Sequence, residues 1–325
     1  MARTDRTDPG IAEEANFGRL GNLWAGELSV PLVKLPGILL LALSVVSVRA
    51  ADLPPINVKA SGMMLPGKMI WADLYTKNPA GEVQFYTGLF GWKAATVQRP
   101  SGATYIVLSA DDVPVAGVIM RDAPKGDTGQ GRWINYLTVA DVDKTVSAAT
   151  ALGGQVVHPA RLLASRGTQA LLTDSQGSLI GVLHSSTGDP DDLEPGMGTW
   201  AWAHLSARDP AAAAQFYHAV FGDEVAPDIR DGQVTSAYLL SSQGFVRASI
   251  GPIPNRPEAK PEWLGFVRVA NLDDAIAKAT SLGAHVLLQP KSTEPQSRLA
   301  ILADPADVAI GLVELTNPTA LDKQK

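Results

Sequence analysis

The sequence lacks cysteine altogether, and this absence removes several kinds of site. None of the 325 residues carries a thiol, so disulfides, thiolate zinc sites, iron–sulfur clusters and cysteine nucleophiles are excluded. Basic charge is also scarce, because 27 Lys and Arg stand against 33 Asp and Glu, a net charge of −6. Proteins that hold nucleic acid through its phosphates normally show clustered basic residues. We therefore expect no nucleic-acid partner.

Charged residues of either sign make up only 18% of the chain, whereas hydrophobic residues make up 46%. This balance excludes a disordered chain and indicates a globular protein with a sizeable core. The sequence also has no Gly-rich phosphate loop, HExxH or GxSxG motif, which are the signatures of common nucleotide-binding and hydrolytic sites. The length suggests roughly two domains.

An apolar stretch at residues 35–48 has the features of an export signal. Fourteen uncharged residues follow Lys34, and the small residues Val48 and Ala50 occupy the positions three and one before a cut after Ala50. The stretch is shorter than the ~20 residues that span a bilayer as a helix. We expect residues 1–50 to be a signal-like segment, no stable membrane span after its cleavage, and a periplasmic or extracellular protein. The alternative is a cytoplasmic protein in which the stretch is a buried element.

An internal repeat organises the rest of the chain. The stretch WADLYTKNPAGEVQFYTGLFGW at Trp71 returns as WAHLSARDPAAAAQFYHAVFGD at Trp202, an offset of 131 residues. A second pair of similar stretches surrounds Trp133 and Trp263, at an offset of 130 residues. Self-similarity at a fixed spacing indicates duplicated structural units.

The repeat divides the chain into two homologous halves, residues 70–185 and 199–316. Between them, residues 186–198 concentrate Gly, Pro and Asp, the composition of a connector. Residues 51–69, which are rich in Pro and Gly, are expected to be a linker for the same reason.

Each half divides again into two units with the element order βαβββ. In the first unit, alternating apolar residues indicate a strand, Pro79 suits the first turn of a helix, and Gly91 ends it. Three further alternating stretches follow, separated by Gly, Pro and Asp turns. A sheet with helices on one face must bury its other face against a partner or a ligand. The sequence therefore predicts an α+β protein with four βαβββ modules.

The modules resemble the vicinal oxygen chelate superfamily, which includes glyoxalase I, extradiol dioxygenases and bleomycin-resistance proteins. The likeness rests on D/N-P followed by F-Y-x-x-x-F-G in a helix, and on D-x-x-G-x-x-I before the last strand. It covers both halves and implies two tandem glyoxalase-like domains. It also implies that, if the protein is an enzyme, its chemistry is glyoxalase-like or dioxygenase-like, with a divalent cation held by His, Gln or Glu on the first and last strands.

The residues at those metal-ligand positions do not match the pattern of the superfamily. The first-strand positions hold residues without a lone pair for a cation: Trp71, Ile134, Trp202 and Leu264. The last-strand acid is replaced by Gly181 and Gly311. Because a catalytic divalent site generally needs about three protein ligands, we expect no metal and no other cofactor.

Side chains two residues apart on a strand share a face, which places other residues in each cavity. In the first half we expect Trp71, Asp73 and Tyr136 to bind a ligand. In the second half the corresponding residues are Trp202, His204 and Phe266. Each set has an aromatic wall and one ionisable group, which suits a flat or apolar molecule.

Three functions stay open on the sequence alone. The first is an exported protein that binds a small apolar or aromatic molecule in metal-free cavities, either without catalysis or with His204 or Asp73 as an acid–base group. The second is a metal-dependent lyase or dioxygenase whose ligands have shifted. The third is an interaction scaffold. Two halves suffice to close both cavities in a monomer, but a homodimer is equally compatible with the repeat.

Overall fold

A computed structural model describes most of the chain beyond the N-terminal segment. It covers residues 53–99, 102–120, 131–230, 232–253, 260–290 and 297–315. These residues lie in one compact unit, Val48–Lys325. The signal-like segment 1–50 lies outside the described residues. No helix in the described part is long and apolar enough to cross a membrane.

The first half folds into ten elements. In chain order they are β1 (Met69–Thr76), α1 (Pro79–Phe90), β2 (Lys93–Gln98), β3 (Thr104–Ala110), β4 (Val113–Met120), β5 (Gly131–Thr138), α2 (Val142–Ala151), β6 (Gln155–Leu163), β7 (Gly167–Thr173) and β8 (Leu179–Ser185). The strands form one eight-stranded sheet in the order β2-β3-β4-β1-β5-β8-β7-β6.

The second half repeats this arrangement. Its elements are β9 (Trp200–Ala207), α3 (Pro210–Phe221), β10 (Glu224–Arg230), β11 (Gln233–Ser242), β12 (Phe245–Pro252), β13 (Glu262–Arg268), α4 (Leu272–Ser281), β14 (His285–Leu288), β15 (Ser297–Ala303) and β16 (Ala309–Leu315). The sheet order is β10-β11-β12-β9-β13-β16-β15-β14. The prediction of an α+β fold with four βαβββ modules is confirmed.

Within each half, the two modules join through their first strands. In the first sheet β1 pairs with β5 in antiparallel orientation, and in the second sheet β9 pairs with β13 in the same way. Each first strand also pairs in parallel with the last strand of its own module. The residues expected to bind a ligand therefore lie at the centre of each sheet.

The longer helices begin and end where their sequences predict. Asn78 accepts a hydrogen bond from the backbone N–H of Gly81 and caps α1, and Asp209 caps α3 through the N–H of Ala212. Gly91 ends α1 at φ +74° and Gly222 ends α3 at φ +76°, a left-handed conformation that glycine adopts at little cost.

A single hydrophobic cluster holds the two halves together. It contains apolar residues of all four helices and of both sheets, among them Leu74, Phe85 and Trp133 from the first half, and Leu205 and Phe216 from the second. Each sheet turns its helix-bearing face toward this shared core. We call the opposite side of each sheet the helix-free face.

Reciprocal hydrogen bonds reinforce the contact between halves. The hydroxyl of Tyr86 in α1 donates to Asp304 Oδ2 at 2.7 Å and accepts from Trp133 Nε1 at 2.9 Å. The hydroxyl of Tyr217 in α3 repeats this with Asp174 Oδ2 of the first half. The Phe-Tyr motif therefore belongs to the core, and its tyrosines join each half to an aspartate in the turn before the last strand of the other half.

The segments expected to be connectors are irregular but packed. The backbone N–H of Leu65 donates to Asp189 Oδ2 at 2.7 Å, and the Lys68 ammonium lies 3.0 Å from Asp192 Oδ1. The hydroxyl of Ser242 in the second half donates to the carbonyl of Pro66. Residues 57–68 are thus tied to the second connector and to both halves.

Candidate functional site

The helix-free faces of the two sheets carry the predicted site residues. Trp71 pairs with Tyr136 across β1 and β5, and Trp202 pairs with Phe266 across β9 and β13. The alternation of strand side chains places Asp73 beside Trp71, where Trp71 Nε1 donates to Asp73 Oδ1 at 2.9 Å. The predicted sharing of a face is therefore observed.

In the first half, the carboxylate of Asp73 is enclosed by donors. It is 2% exposed and accepts from Trp71 and from the hydroxyl of Tyr105. Tyr105 in turn accepts from Arg166 Nη1 at 2.8 Å, and the Arg166 guanidinium stacks 4.1 Å from the centre of the Trp71 ring. A buried carboxylate and a buried guanidinium are thus linked through one phenol, which offsets the cost of burying both charges.

Chain from outside the sheet closes this face. Leu53 and Ile56 are 8% and 2% exposed and pack into a cluster with Trp71, Tyr105 and Tyr136. As a result, the predicted ligand residues of the first half are inaccessible while residues 53–56 stay in place.

In the second half, two residues differ from their counterparts on the same face of the first half. Gly117 is the strand partner of Asp73, and a Cβ on Gly117 would lie 1.9 Å from the Tyr105 hydroxyl. The partner of His204 is Ser249, and the position that corresponds to Tyr105 holds Ala237. Tyr105 beside Gly117 in the first half is therefore replaced by Ala237 beside Ser249 in the second half.

The second half consequently presents partly exposed polar and aromatic groups. Trp202, His204, Leu264 and Ala237 are all partly exposed. Ser249 Oγ accepts from Trp202 Nε1 at 3.1 Å and lies 2.8 Å from His204 Nδ1. This arrangement fixes the orientation of both rings on the face.

The imidazole of His204 is neutral at physiological pH. Burial, together with a smaller contribution from the positive charge of Arg230, lowers its pKa to about 4. Both effects disfavour the imidazolium. His204 therefore acts as a neutral hydrogen-bonding group near an arginine.

Aromatic rings explain the glycines at the last-strand positions. Tyr136 pairs with Gly181, and a Cβ there would lie 2.2 Å from Tyr136 Cδ1. Phe266 pairs with Gly311, where a Cβ would likewise lie 2.2 Å from Phe266 Cδ1. A carboxylate side chain at either position would collide with the ring, so the ring and the glycine occur together.

The divalent cation that the fold family implies does not fit these residues. The four first-strand positions offer indole and aliphatic side chains, and the two last-strand positions offer none. Among the described residues, no three His, Asp or Glu side chains come together as a metal site would require. No step through a metal ion is therefore derived for this chain.

The structure separates the six predicted ligand residues into two groups. Trp71, Asp73 and Tyr136 are buried beneath residues 53–56, whereas Trp202 and His204 are partly exposed, with Phe266 buried beside them. Their role in ligand binding stays a prediction.

Four residues that distinguish the two faces were not predicted from the sequence: Tyr105, Arg166, Ala237 and Ser249. A comparison of the two halves strand by strand would have revealed the exchange of Tyr105 for Ala237. No periodicity marks Arg166, because it lies in the turn between β6 and β7.

Comparison with known families gives a match for each half. Residues 68–182 match the family described as Glyoxalase/Bleomycin resistance protein/Dioxygenase superfamily. Residues 202–313 match the family described as Glyoxalase-like domain.

Three relatives are similar in sequence. The anthracycline biosynthesis protein DauV of Streptomyces sp. (strain C5) is 27% identical over 79% of this chain and 97% of its own length. DnrV of Streptomyces peucetius, also named an anthracycline biosynthesis protein, is 28% identical over 77% of this chain and 94% of its own. The putative glyoxylase CFP32 of Mycobacterium tuberculosis is 33% identical, over 36% of this chain and 44% of its own.

Solved structures share the fold at low identity. The Mn(II)-bound glyoxalase from Novosphingobium aromaticivorans superimposes with a TM-score of 0.57 at 16% identity, over 81% of this chain and 87% of its own. The 2,3-dioxygenase LapB from Pseudomonas sp. KL28 gives a TM-score of 0.54 at 13% identity, over 78% of this chain and 93% of its own. The two family matches and these shared folds agree with the motifs of both halves. The chain therefore belongs to the glyoxalase/bleomycin resistance protein/dioxygenase superfamily, the vicinal oxygen chelate proteins, and carries two of its domains in tandem.

Proposed function

We propose that the second half binds a planar aromatic small molecule on its helix-free face, without a protein-bound metal ion. The observation that carries the proposal is the contrast between the two faces. Asp73 and Trp71 are buried in the first half, whereas His204 and Trp202, which occupy the corresponding strand positions of the second half, are partly exposed.

The Trp202 ring supplies a surface for stacking. An aromatic pair contributes about 0.5–1.5 kcal/mol beyond the burial of its area. The indole N–H of Trp202 is already bonded to Ser249, so the ring is held in place before a ligand arrives. Such preorganisation lowers the entropy that binding costs.

His204 supplies a directional polar contact. A serine hydroxyl has one proton and two lone pairs, so Ser249 can accept from Trp202 while donating to His204 Nδ1. We infer that the imidazole then carries its proton on Nε2 and donates it to the ligand. A stacking ring beside a hydrogen-bond donor suits planar molecules that carry a carbonyl or phenolic oxygen.

The names of two relatives point in the same direction. DauV and DnrV are both named for anthracycline biosynthesis, and an anthracycline is a planar polycyclic ketone. We extend this ligand class to the present chain as part of the proposal.

Binding, rather than acid–base catalysis, suits the ionisable groups. Asp73 is enclosed by its donors, and His204, with a pKa of about 4, is a weak base at neutral pH.

We also propose export of the chain through its signal-like segment, and small molecules rather than nucleic acids as its partners.

Fluorescence titration with daunorubicin, a water-soluble anthracycline, tests the proposal. We expect saturable binding that EDTA does not change, and a dissociation constant at least tenfold larger for Trp202→Ala, about 1.4 kcal/mol. His204→Ala should weaken binding about threefold to tenfold, the value of one hydrogen bond.

The matched control is His285→Ala, which alters an exposed histidine of the same half and should bind like the wild type. An unchanged dissociation constant for Trp202→Ala would contradict the proposal. Loss of binding with EDTA, restored by a transition metal, would instead favour the metal-dependent lyase or dioxygenase. The absence of binding to any planar aromatic compound would favour a scaffold.

A further inference from the structure

The helix-free face of the first half contains a buried cation that makes no direct ion pair with a described carboxylate. Arg166 is 1% exposed, and its Nη1 donates to Tyr105. Among the described residues, its Nε and Nη2 reach only the carbonyl of Pro54, at 3.4 and 3.5 Å. A buried guanidinium is normally paired with a carboxylate or phosphate at about 2.7–2.9 Å in a two-pronged contact.

The segment that supplies this carbonyl, residues 53–56, is held differently from the chain that follows it. We call these four residues the strap. Apart from the contact to Arg166, the strap rests on the apolar side chains of Leu53 and Ile56. Beyond it, Asn57 and Ser61 donate side-chain hydrogen bonds to the carbonyl of Asp189. The strap can therefore leave the face while residues 57–68 stay attached.

The strap covers the helix-free face of the first half with groups that a ligand could also provide, namely apolar side chains and a hydrogen-bond acceptor. Leu53 and Ile56 pack against an apolar surface formed by Tyr105, Tyr136 and Leu171. Pro54, whose carbonyl oxygen contacts Arg166, lies between them in the sequence. Two consecutive prolines limit the conformations that the free strap adopts, which reduces the entropy lost when it docks. The prolines therefore favour the docked strap when no ligand is bound, whereas its long hydrogen bonds to Arg166 leave it replaceable by an occupant that pairs more closely with the guanidinium.

We propose that the first half holds a second binding site, covered by the strap, for a planar aromatic acid. The aromatic ring replaces the Leu53 and Ile56 side chains, and the carboxylate replaces the Pro54 carbonyl on Arg166. This site differs from the open face of the second half in requiring a negative charge. Binding at this site does not require a ligand beside His204.

Isothermal titration with 2-naphthoate tests the site, with neutral 2-naphthamide as the matched probe. The titrations use the full chain in a Trp202→Ala/His204→Ala background, which removes both the stacking ring and the hydrogen-bonding group proposed for the second half. Leu53→Ser/Ile56→Ser weakens the strap and should bind 2-naphthoate at least tenfold more tightly than the parent. Val58→Ser is the control, because Val58 is 61% exposed just beyond the strap, and it should bind like the parent.

Adding Arg166→Gln to the strap variant should abolish the gain for 2-naphthoate. The strap variant should show no gain for 2-naphthamide. Equal gains for both probes, or no gain for 2-naphthoate in a folded strap variant, would overturn the proposal.

Thiol labelling provides a second measurement, because the chain has no cysteine of its own. In Ile56→Cys the only thiol replaces a side chain that is 2% exposed, and saturation with 2-naphthoate should speed its reaction with a soluble disulfide reagent at least tenfold. An unchanged labelling rate at the highest soluble concentration of 2-naphthoate would also overturn the proposal. The daunorubicin titration tests the second half separately, so its result does not depend on the result for the first half.

Discussion

At the scale of single residues, the environment of His204 makes a pH-dependent prediction. Its pKa is lowered to about 4 in the folded chain, against about 6.5 in an unfolded one. The unfolded state therefore binds more protons between these values, so this contribution to stability is present above pH 6.5 and is lost as the pH falls through 4. Over that range the wild type should lose about 1–3 kcal/mol relative to His204→Gln.

Urea unfolding of both proteins at pH 7 and pH 4 measures this difference, and the subtraction removes the titration of other groups. Since His204 stays neutral from pH 5 to 8, daunorubicin affinity should not change across that range. An affinity that changes near pH 6.5 would show that the imidazole titrates normally.

Glu82 makes the opposite pH-dependent prediction. This carboxyl of α1 is 2% exposed, and burial together with the nearby Asp304 raises its pKa to about 8. The folded state binds the proton more tightly than the unfolded one, so the contribution is present below about pH 4.5 and is lost as the pH rises through 8.

Glu82→Gln keeps an acceptor for the Thr76 hydroxyl, which lies 3.1 Å from Glu82 Oε1, and a donor for Asp304. The variant should match the wild type at pH 4.5 and exceed its unfolding free energy by at least ~1 kcal/mol at pH 9. Thermal and urea unfolding at both pH values check this. Equal stability at pH 9 would mean that Glu82 is not desolvated.

At the scale of elements, the contact between helices and opposite sheets depends on the two tyrosines. Tyr217→Phe leaves Asp174 Oδ2 and Trp263 Nε1 without the phenol that now bridges them. A buried polar group that loses its partner costs about 1–3 kcal/mol. Tyr86→Phe should cost a similar amount for the same reason.

The control is Tyr238→Phe, since the Tyr238 hydroxyl has no hydrogen bond to a described residue and its removal should change stability by less than ~0.5 kcal/mol. Urea unfolding of the three variants gives the comparison. A Tyr217→Phe protein as stable as the wild type would show that the reciprocal hydrogen bonds contribute nothing to the association of the halves.

The elements themselves were largely predictable from the sequence. Helical spacing and the caps at Asn78 and Gly91 specify α1, and strand alternation places Trp71 and Asp73 on one face. These features follow from local periodicity. The hydrogen bond from Tyr86 to Asp304 spans 218 residues, and local periodicity carries no information about such a contact.

At the scale of the whole molecule, duplication has produced two faces with one architecture and different accessibility. The repeat predicted two halves, and the family and the fold confirm them. It could not predict that one face is closed, because closure comes from Leu53 and Ile56 in an irregular segment and from Arg166 in a turn. On the face of the second half, Ala237 stands where the first half has Tyr105, and Ser249 orients the rings of Trp202 and His204.

The central claim is that the open face of the second half binds a planar ligand without a metal ion. A crystal structure of the full chain with daunorubicin tests it most directly. We predict electron density for the fused rings against Trp202, with a ligand oxygen within about 3 Å of His204 Nε2. Density for the rings elsewhere, or a cation coordinated by side chains of β9, β13 or β16, would contradict the claim.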